Sequence, residues 1–250
     1  MPHGVPERVM AAIRQKQEAF RYYDDPDPLK GIYSAFSDYD SLGERFVRAF
    51  GDSFSHVSMF HCCRPRHTEP YYSEGIRVLS ADEANKQFMD LCRESNGLVN
   101  IPEQDISAAI DSMSDSYGRF GQVYFGLDDR FLIEHCGHYL IYGSEYLQSL
   151  CSHLRDRIRY DLSSQLKRIG IPTVFRARIS VSQFKSQELS TLAGDALPAW
   201  AYRIAHNKRE PGLLDFAIML GHTLPPTDIV THYHPEEIPD PFFRTLGLSV

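Results

Sequence analysis

Three stretches of the chain concentrate side chains able to do chemistry. The first, MFHCCRPRHTEPYYSEGI, sets His61, Cys62, Cys63, Arg64 and His67 between an apolar run and a helical one. Imidazole and thiol act as nucleophile, proton carrier or soft metal ligand near neutral pH. The second, VYFGLDDRFLIEHCGHYLIYGSEYL, threads Asp128, Asp129, Glu134, His135, His138, Glu145 and four tyrosines among apolar residues. Polar groups in such a stretch need partners once buried. In the third, LLDFAIML, Asp215 is the only charge in an eight-residue apolar run. An acid in that setting is either paired or functional.

Each stretch admits more than one chemistry. Zinc favours ligands such as Cys62, Cys63 and His67, or His135, Cys136 and His138, or His232 and His234. None of these has the spacing of a Cys-x-x-Cys pair, and the adjacent Cys62 and Cys63 point to opposite sides of a strand, so no metal is expected. A thiol enzyme would use Cys62 or Cys63 with a distant histidine as base, although no flanking signature accompanies either. A carboxylate, Glu145 or Asp215, would instead stabilise positive charge developing on a substrate.

The elements that position these groups follow from local pattern. From Pro6 the spacing of Val9, Ile13 and Phe20 predicts an amphipathic helix, which DDPDP breaks. Ser41 and Glu44 have capping-box spacing before a second helix that ends near Gly51. His56 to His61 reads as a strand with Val57, Met59 and His61 on one face, so His61 sits at a strand end. Thr68 to Glu74, closed by Gly75, reads as a short helix; Ser80 with Glu83 caps another, which Asn96-Gly97 stops. After Pro102 the stripe Ile106, Ala109, Ile110 and Met113 predicts a further helix. Gln122 to Leu127, Thr173 to Val181, Leu213 to Leu220 and Ile229 to Tyr233 predict strands, the last two joined by a turn at Pro225-Pro226. The result is an α+β fold read as a single domain. A helical segment, residues 1–54, packs on a core of residues 55–250.

Composition narrows the class. The chain has 250 residues, 42% hydrophobic and 24% charged, which suits one globular domain and not a disordered one. Five cysteines at irregular spacing do not form a disulfide framework, so reduced thiols are expected. The net charge of −7 argues against a broad grip on nucleic-acid phosphates. Arg155, Arg157, Arg159, Lys167 and Arg168 form the one dense basic run, which reads as a solvated helix face. Without an apolar run long enough for a membrane span, or a signal-peptide pattern, the expected location is the cytoplasm, with no membrane partner.

A strand ending in histidine, a helix closing on Gly75-Ile76, the strand VYF, a tyrosine-rich stretch and an acid on a late strand occur in that order. This order resembles the ADP-ribosyltransferase superfamily, in its histidine-tyrosine-acid branch, over about residues 55 to 235. The resemblance implies a central mixed or antiparallel sheet split into two halves, with flanking helices. It also implies NAD as substrate and transfer of ADP-ribose to an intracellular macromolecule, protein or nucleic acid. By the same resemblance His61 holds the ribose of NAD, the backbone at Cys62 binds the nicotinamide amide, Arg64 belongs to the same cofactor site, and Tyr124 with Tyr139 or Tyr142 stacks on the nicotinamide. Two positions compete for the acid. LIYGSEYL is similar to the poly(ADP-ribose) polymerase strand that ends in the catalytic glutamate, which would be Glu145. DFAIMLGHTLPPTDIV is similar to the late strand of bacterial toxin members, with Asp215 in the place of their glutamate. Free-standing members of this kind are often toxins or defence effectors, some with an antitoxin or immunity partner. The alternative from the same fold is a non-catalytic binding or immunity module.

Overall fold

A computed structural model describes residues 7–35, 39–95, 100–114, 118–208 and 213–242. The expected helix start at Pro6 and stop at Asn96-Gly97 lie outside the described residues. The fold is α+β. Five strands, β1 (His56–Cys63), β2 (Val123–Gly126), β3 (Thr173–Ser180), β4 (Ala217–Leu220) and β5 (Ile229–Tyr233), form one sheet in the order β4-β2-β1-β3-β5. The pairs β1 with β2 and β3 with β5 are antiparallel, and Phe60 stands opposite Gly126. The sheet is therefore one, not the two halves expected. Most predicted strands agree to within two residues; the exception is LLDFAIML, where only Ala217–Leu220 enters the sheet.

The chain divides into two compact units, Met1–Ser58 with Ile179–Ile218, and Met59–Arg178 with Met219–Val250. In the first, the helices Glu7–Gln15, Asp27–Tyr33 and Tyr39–Ser53 are joined by a long helix, Ser186–Ala205. Val9, Ile13 and Phe20 are buried, as their spacing predicted, in a cluster with Leu29, Leu197 and Ala201. The first helix stops at Gln15, ahead of DDPDP rather than at it; the next begins inside that stretch, with Pro28 in its first turn, where no backbone N–H is needed. The helix Tyr39–Ser53 starts ahead of Ser41 and runs past Gly51, so Ser41 lies inside it and is not its cap. Nothing in the local pattern announced Ser186–Ala205. It carries Gly194 and Pro198 in its interior, both poor helix residues, and it forms because its buried Leu197, Ala201 and Ala205 pack on the neighbouring helices.

In the second unit, the helices Ala81–Ser95, Glu103–Ser114 and Glu145–Ile158 enclose Phe88, Leu91, Ala109, Tyr146, Leu150 and Leu154. Ser80 caps the first of these by accepting from the Glu83 N–H at 3.4 Å. The short helix Glu69–Glu74 closes on Gly75 at φ +88°, where an added Cβ would stand 2.0 Å from the Leu224 carbonyl oxygen. No helix is long and apolar enough to cross a membrane among the described residues.

One side chain gathers this unit. Past the end of β1, Arg64 donates to the Leu140 carbonyl from Nη1 at 2.8 Å, to the Ile169 carbonyl from Nε at 2.8 Å, and to the Lys167 carbonyl from Nη2. The first carbonyl belongs to the helix His138–Ile141, and the other two follow the helix Ser163–Leu166. A guanidinium thus occupies carbonyls that a helix end leaves open. Arg64, expected beside a bound cofactor, is committed to backbone. Replacing Arg64 with Ala is predicted to cost about 3 kcal/mol, roughly 1 kcal/mol for each carbonyl that loses its charged donor. Arg64→Lys should recover less than half, because an ammonium lacks the planar fork. The urea midpoint of unfolding measures both.

Candidate active site

The tyrosine-rich stretch folds as helices, not as the strand that its resemblance implied. Asp128 caps the helix Asp129–His135 by accepting from the Arg130 N–H at 3.0 Å, and it also binds the Arg130 guanidinium. Asp129 accepts from the Tyr233 hydroxyl at 2.7 Å. The helix His138–Ile141 then ends in a turn at Gly143 (φ +82°), and Ser144 caps the helix Glu145–Ile158 by accepting from the Leu147 N–H at 3.3 Å. Glu145 is the first residue of that helix, where the helix dipole favours a negative charge. The basic run begins at the other end of the same helix, where cations are favoured, and Arg159 closes it in the left-handed conformation.

Glu145 is the centre of a polar cluster. Its Oε1 accepts from the Tyr139 hydroxyl at 2.8 Å and stands 3.5 Å from His138 Nε2, while Oε2 pairs with Arg119. The His138 contact holds the carboxyl below its usual value; partial burial opposes this, and Tyr139 and Arg119 reinforce it. Burial, and then the bond to Glu145, push the Tyr139 phenol up, so it remains a donor. The Arg119 guanidinium lies 5.5 Å from the ring centroid of Tyr124, and the Tyr124 hydroxyl donates to Gln122 at 2.7 Å. Beside the cluster opens a cleft of about 670 Å³. Arg119, His135, His138 and Glu145 line it with charge-bearing groups, Ser149 and Ser152 add hydroxyls, and Phe242 forms an apolar side.

The structure brings Tyr124, Tyr139 and Glu145 together through Arg119, a residue that sequence reasoning passed over. Its signal was absent, because Arg119 lies outside all three stretches and meets Glu145 only in the folded chain. The other expected residues lie elsewhere. His61 falls two residues before the end of β1, and its ring packs on Phe125 at 5.6 Å. Along β2 Val123 and Phe125 are buried while Tyr124 between them is exposed, so the Tyr124 side chain leaves the opposite face of the sheet. His61 reaches Tyr124 only through backbone, with Nδ1 3.0 Å from its carbonyl oxygen, and burial lowers the imidazole's proton affinity against that bond. Tyr142 is buried, donating to Asp240 at 2.6 Å beneath Lys167. Asp215 belongs to the first unit; it is exposed just before β4, and its charge adds to the burial that raises the Asp195 carboxyl.

The thiols divide as the strand alternation required. Cys62 packs with Leu140 and Val174, and Cys63 shares a hydrogen bond with Tyr71. Burial pushes Cys63 up to about 12 and Cys62 well above its ordinary value. Both are held protonated, the reverse of an activated nucleophile. All five cysteines are free.

Because the folded-state value for Glu145 is depressed, its ionised form adds stability that is present above the unfolded carboxylate range and lost as pH falls through the depressed value. Thermal unfolding of the wild type and Glu145→Gln should differ near neutrality, and the gap should close below about pH 4. A gap that persists unchanged in acid would contradict the assignment. Compared with known proteins, the chain matches no family model, no curated protein and no solved structure.

Proposed function

We propose that the cleft is the site of ADP-ribosyl transfer from NAD, with Glu145 as the carboxylate that stabilises the ribose as its bond to nicotinamide breaks. The carrying observation is the set of three donors, Tyr139, His138 and Arg119, that keeps this carboxylate ionised and oriented on the wall of an open cleft. In such a reaction the glycosidic electrons leave with the nicotinamide nitrogen, and positive charge appears on the ribose ring. An acceptor then attacks the anomeric carbon and loses its proton. A fixed carboxylate lowers the energy of that cationic state because its orientation is set before the reaction. Of the two competing acids Glu145 has this support; Asp215 is exposed and has the like charge of Asp195 as a neighbour. Tyr124 and Tyr139 supply aromatic surface beside the acid, and the acceptor is an intracellular macromolecule, as for a toxin or defence effector.

A second reading, a binding module without chemistry, is favoured by one observation. His61 lies against Phe125, on the face of the sheet opposite the Tyr124 side chain, so the histidine and tyrosine do not converge on one ligand. NAD separates the readings. On the transfer reading the wild type consumes NAD in cell extract, Glu145→Gln loses about 10²- to 10³-fold in rate, and Asp215→Asn keeps the wild-type rate. Consumption that is equal in wild type and Glu145→Gln would remove the carboxylate's role. If NAD is never consumed and does not raise the melting temperature, the binding module stands instead.

A further inference from the structure

We propose that the cleft binds a phosphate-bearing ligand through Arg119, with Glu145 as the displaceable internal anion that holds this guanidinium until the ligand arrives. The inference rests on the reading of the cleft as a ligand site and names the substrate class it accepts. Arg119 carries a planar fork suited to two phosphate oxygens, and its guanidinium carbon stands 5.5 Å from the Tyr124 ring centroid, within cation–π range. Its side chain is 46% exposed, so a ligand in the cleft can reach it.

Exchange of partners is inexpensive on the Glu145 side. When Arg119 leaves, the carboxylate keeps the Tyr139 hydroxyl at 2.8 Å and His138 at 3.5 Å, so no charge is stranded. On the Arg119 side a phosphate offers full negative charge and several acceptor oxygens in place of one carboxylate oxygen. The rest of the cleft favours an anion. His135, His138 and the hydroxyls of Ser149 and Ser152 face it, and Glu145 is the only acid among the described residues that line it. The net charge of the chain, −7, provides no general attraction for anions, so any affinity for phosphate must come from such a local arrangement.

Isothermal titration of the full chain with inorganic pyrophosphate, ADP-ribose and nicotinamide riboside tests the proposal. Pyrophosphate and ADP-ribose should bind, and nicotinamide riboside, which has no phosphate, should bind far more weakly. Arg119→Ala should weaken pyrophosphate at least about tenfold, with Arg119→Lys recovering part of the loss. Glu145→Gln should tighten pyrophosphate, because the internal competitor has lost its charge. That opposite sign separates a shared guanidinium from a general loss of structure, and thermal unfolding of each variant confirms folding. Unchanged pyrophosphate affinity in Arg119→Ala, weaker affinity in Glu145→Gln, or no phosphate binding by the wild type would each overturn the proposal. If pyrophosphate binding follows Arg119 while NAD is never consumed, the phosphate site stands and the transfer reading falls. If NAD is consumed with the same KM by Arg119→Ala, the transfer reading stands and the phosphate site falls.

Discussion

The second unit depends on one guanidinium. Arg64 leaves the end of the central strand and binds carbonyls of Leu140, Lys167 and Ile169, which lie on segments distant from it in sequence. The same corner is closed by backbone, since the Ile171 N–H donates to the Pro65 carbonyl at 2.9 Å. Gly170 stands there at φ +72°, and an added Cβ would meet the Pro65 oxygen at 2.4 Å, so both its conformation and its surroundings require glycine. Together these contacts fix the helix His138–Ile141 against the strand end. That helix carries His138 and Tyr139, and so the contact that locks the fold also aims two of the three partners of Glu145.

Electrostatics in the cleft follow from that placement. A carboxylate on the first turn of a helix, given a phenol, an imidazole and a guanidinium, remains ionised even with part of its surface taken from water. The same groups would be a modest surface ion pair if they were fully exposed, and such pairs contribute little to stability. The arrangement is better explained by what it does for a ligand than by what it does for the fold. A second anchor lies close by, where Tyr142 and Lys167 both bind the buried Asp240 carboxylate and Phe242 packs its ring 5.8 Å from that of Tyr142. It sets the apolar side of the cleft.

Much of the fold was legible along the chain. Alternation located the strands, because the side chains of a pleated strand must sort to two faces, and Val9 and Ile13 located a buried helix face for the equivalent reason, whereas Phe20 is buried beyond the end of that helix. Caps were legible where the chemistry is local, as at Ser80 with Glu83 and at Gly75. Other features were not. Ser186–Ala205 contains Gly194 and Pro198, and packing overrides their poor propensity only once the partner helices are present. GSEYL reads as the end of a strand by resemblance, yet Gly143 and the Ser144 cap turn it into the start of a helix.

The sequence by itself determined which groups could act: the acids, tyrosines and histidines of the three stretches, and the fact that adjacent Cys62 and Cys63 must part to opposite faces. Tertiary structure alone decided which of them meet. Glu145 and Arg119 are separated by 26 positions, and no period of helix or strand links them. His61 and Tyr124 sit on paired neighbouring strands, yet the pleat sends their side chains to opposite faces. Asp215 was conspicuous as the one charge in an apolar run, but it lies ahead of β4 and is exposed, as Ala217 is, while Phe216 and Ile218 are buried. Local sequence sets the period on which side chains emerge; register and long-range packing set what stands opposite, and a site is made by what stands opposite.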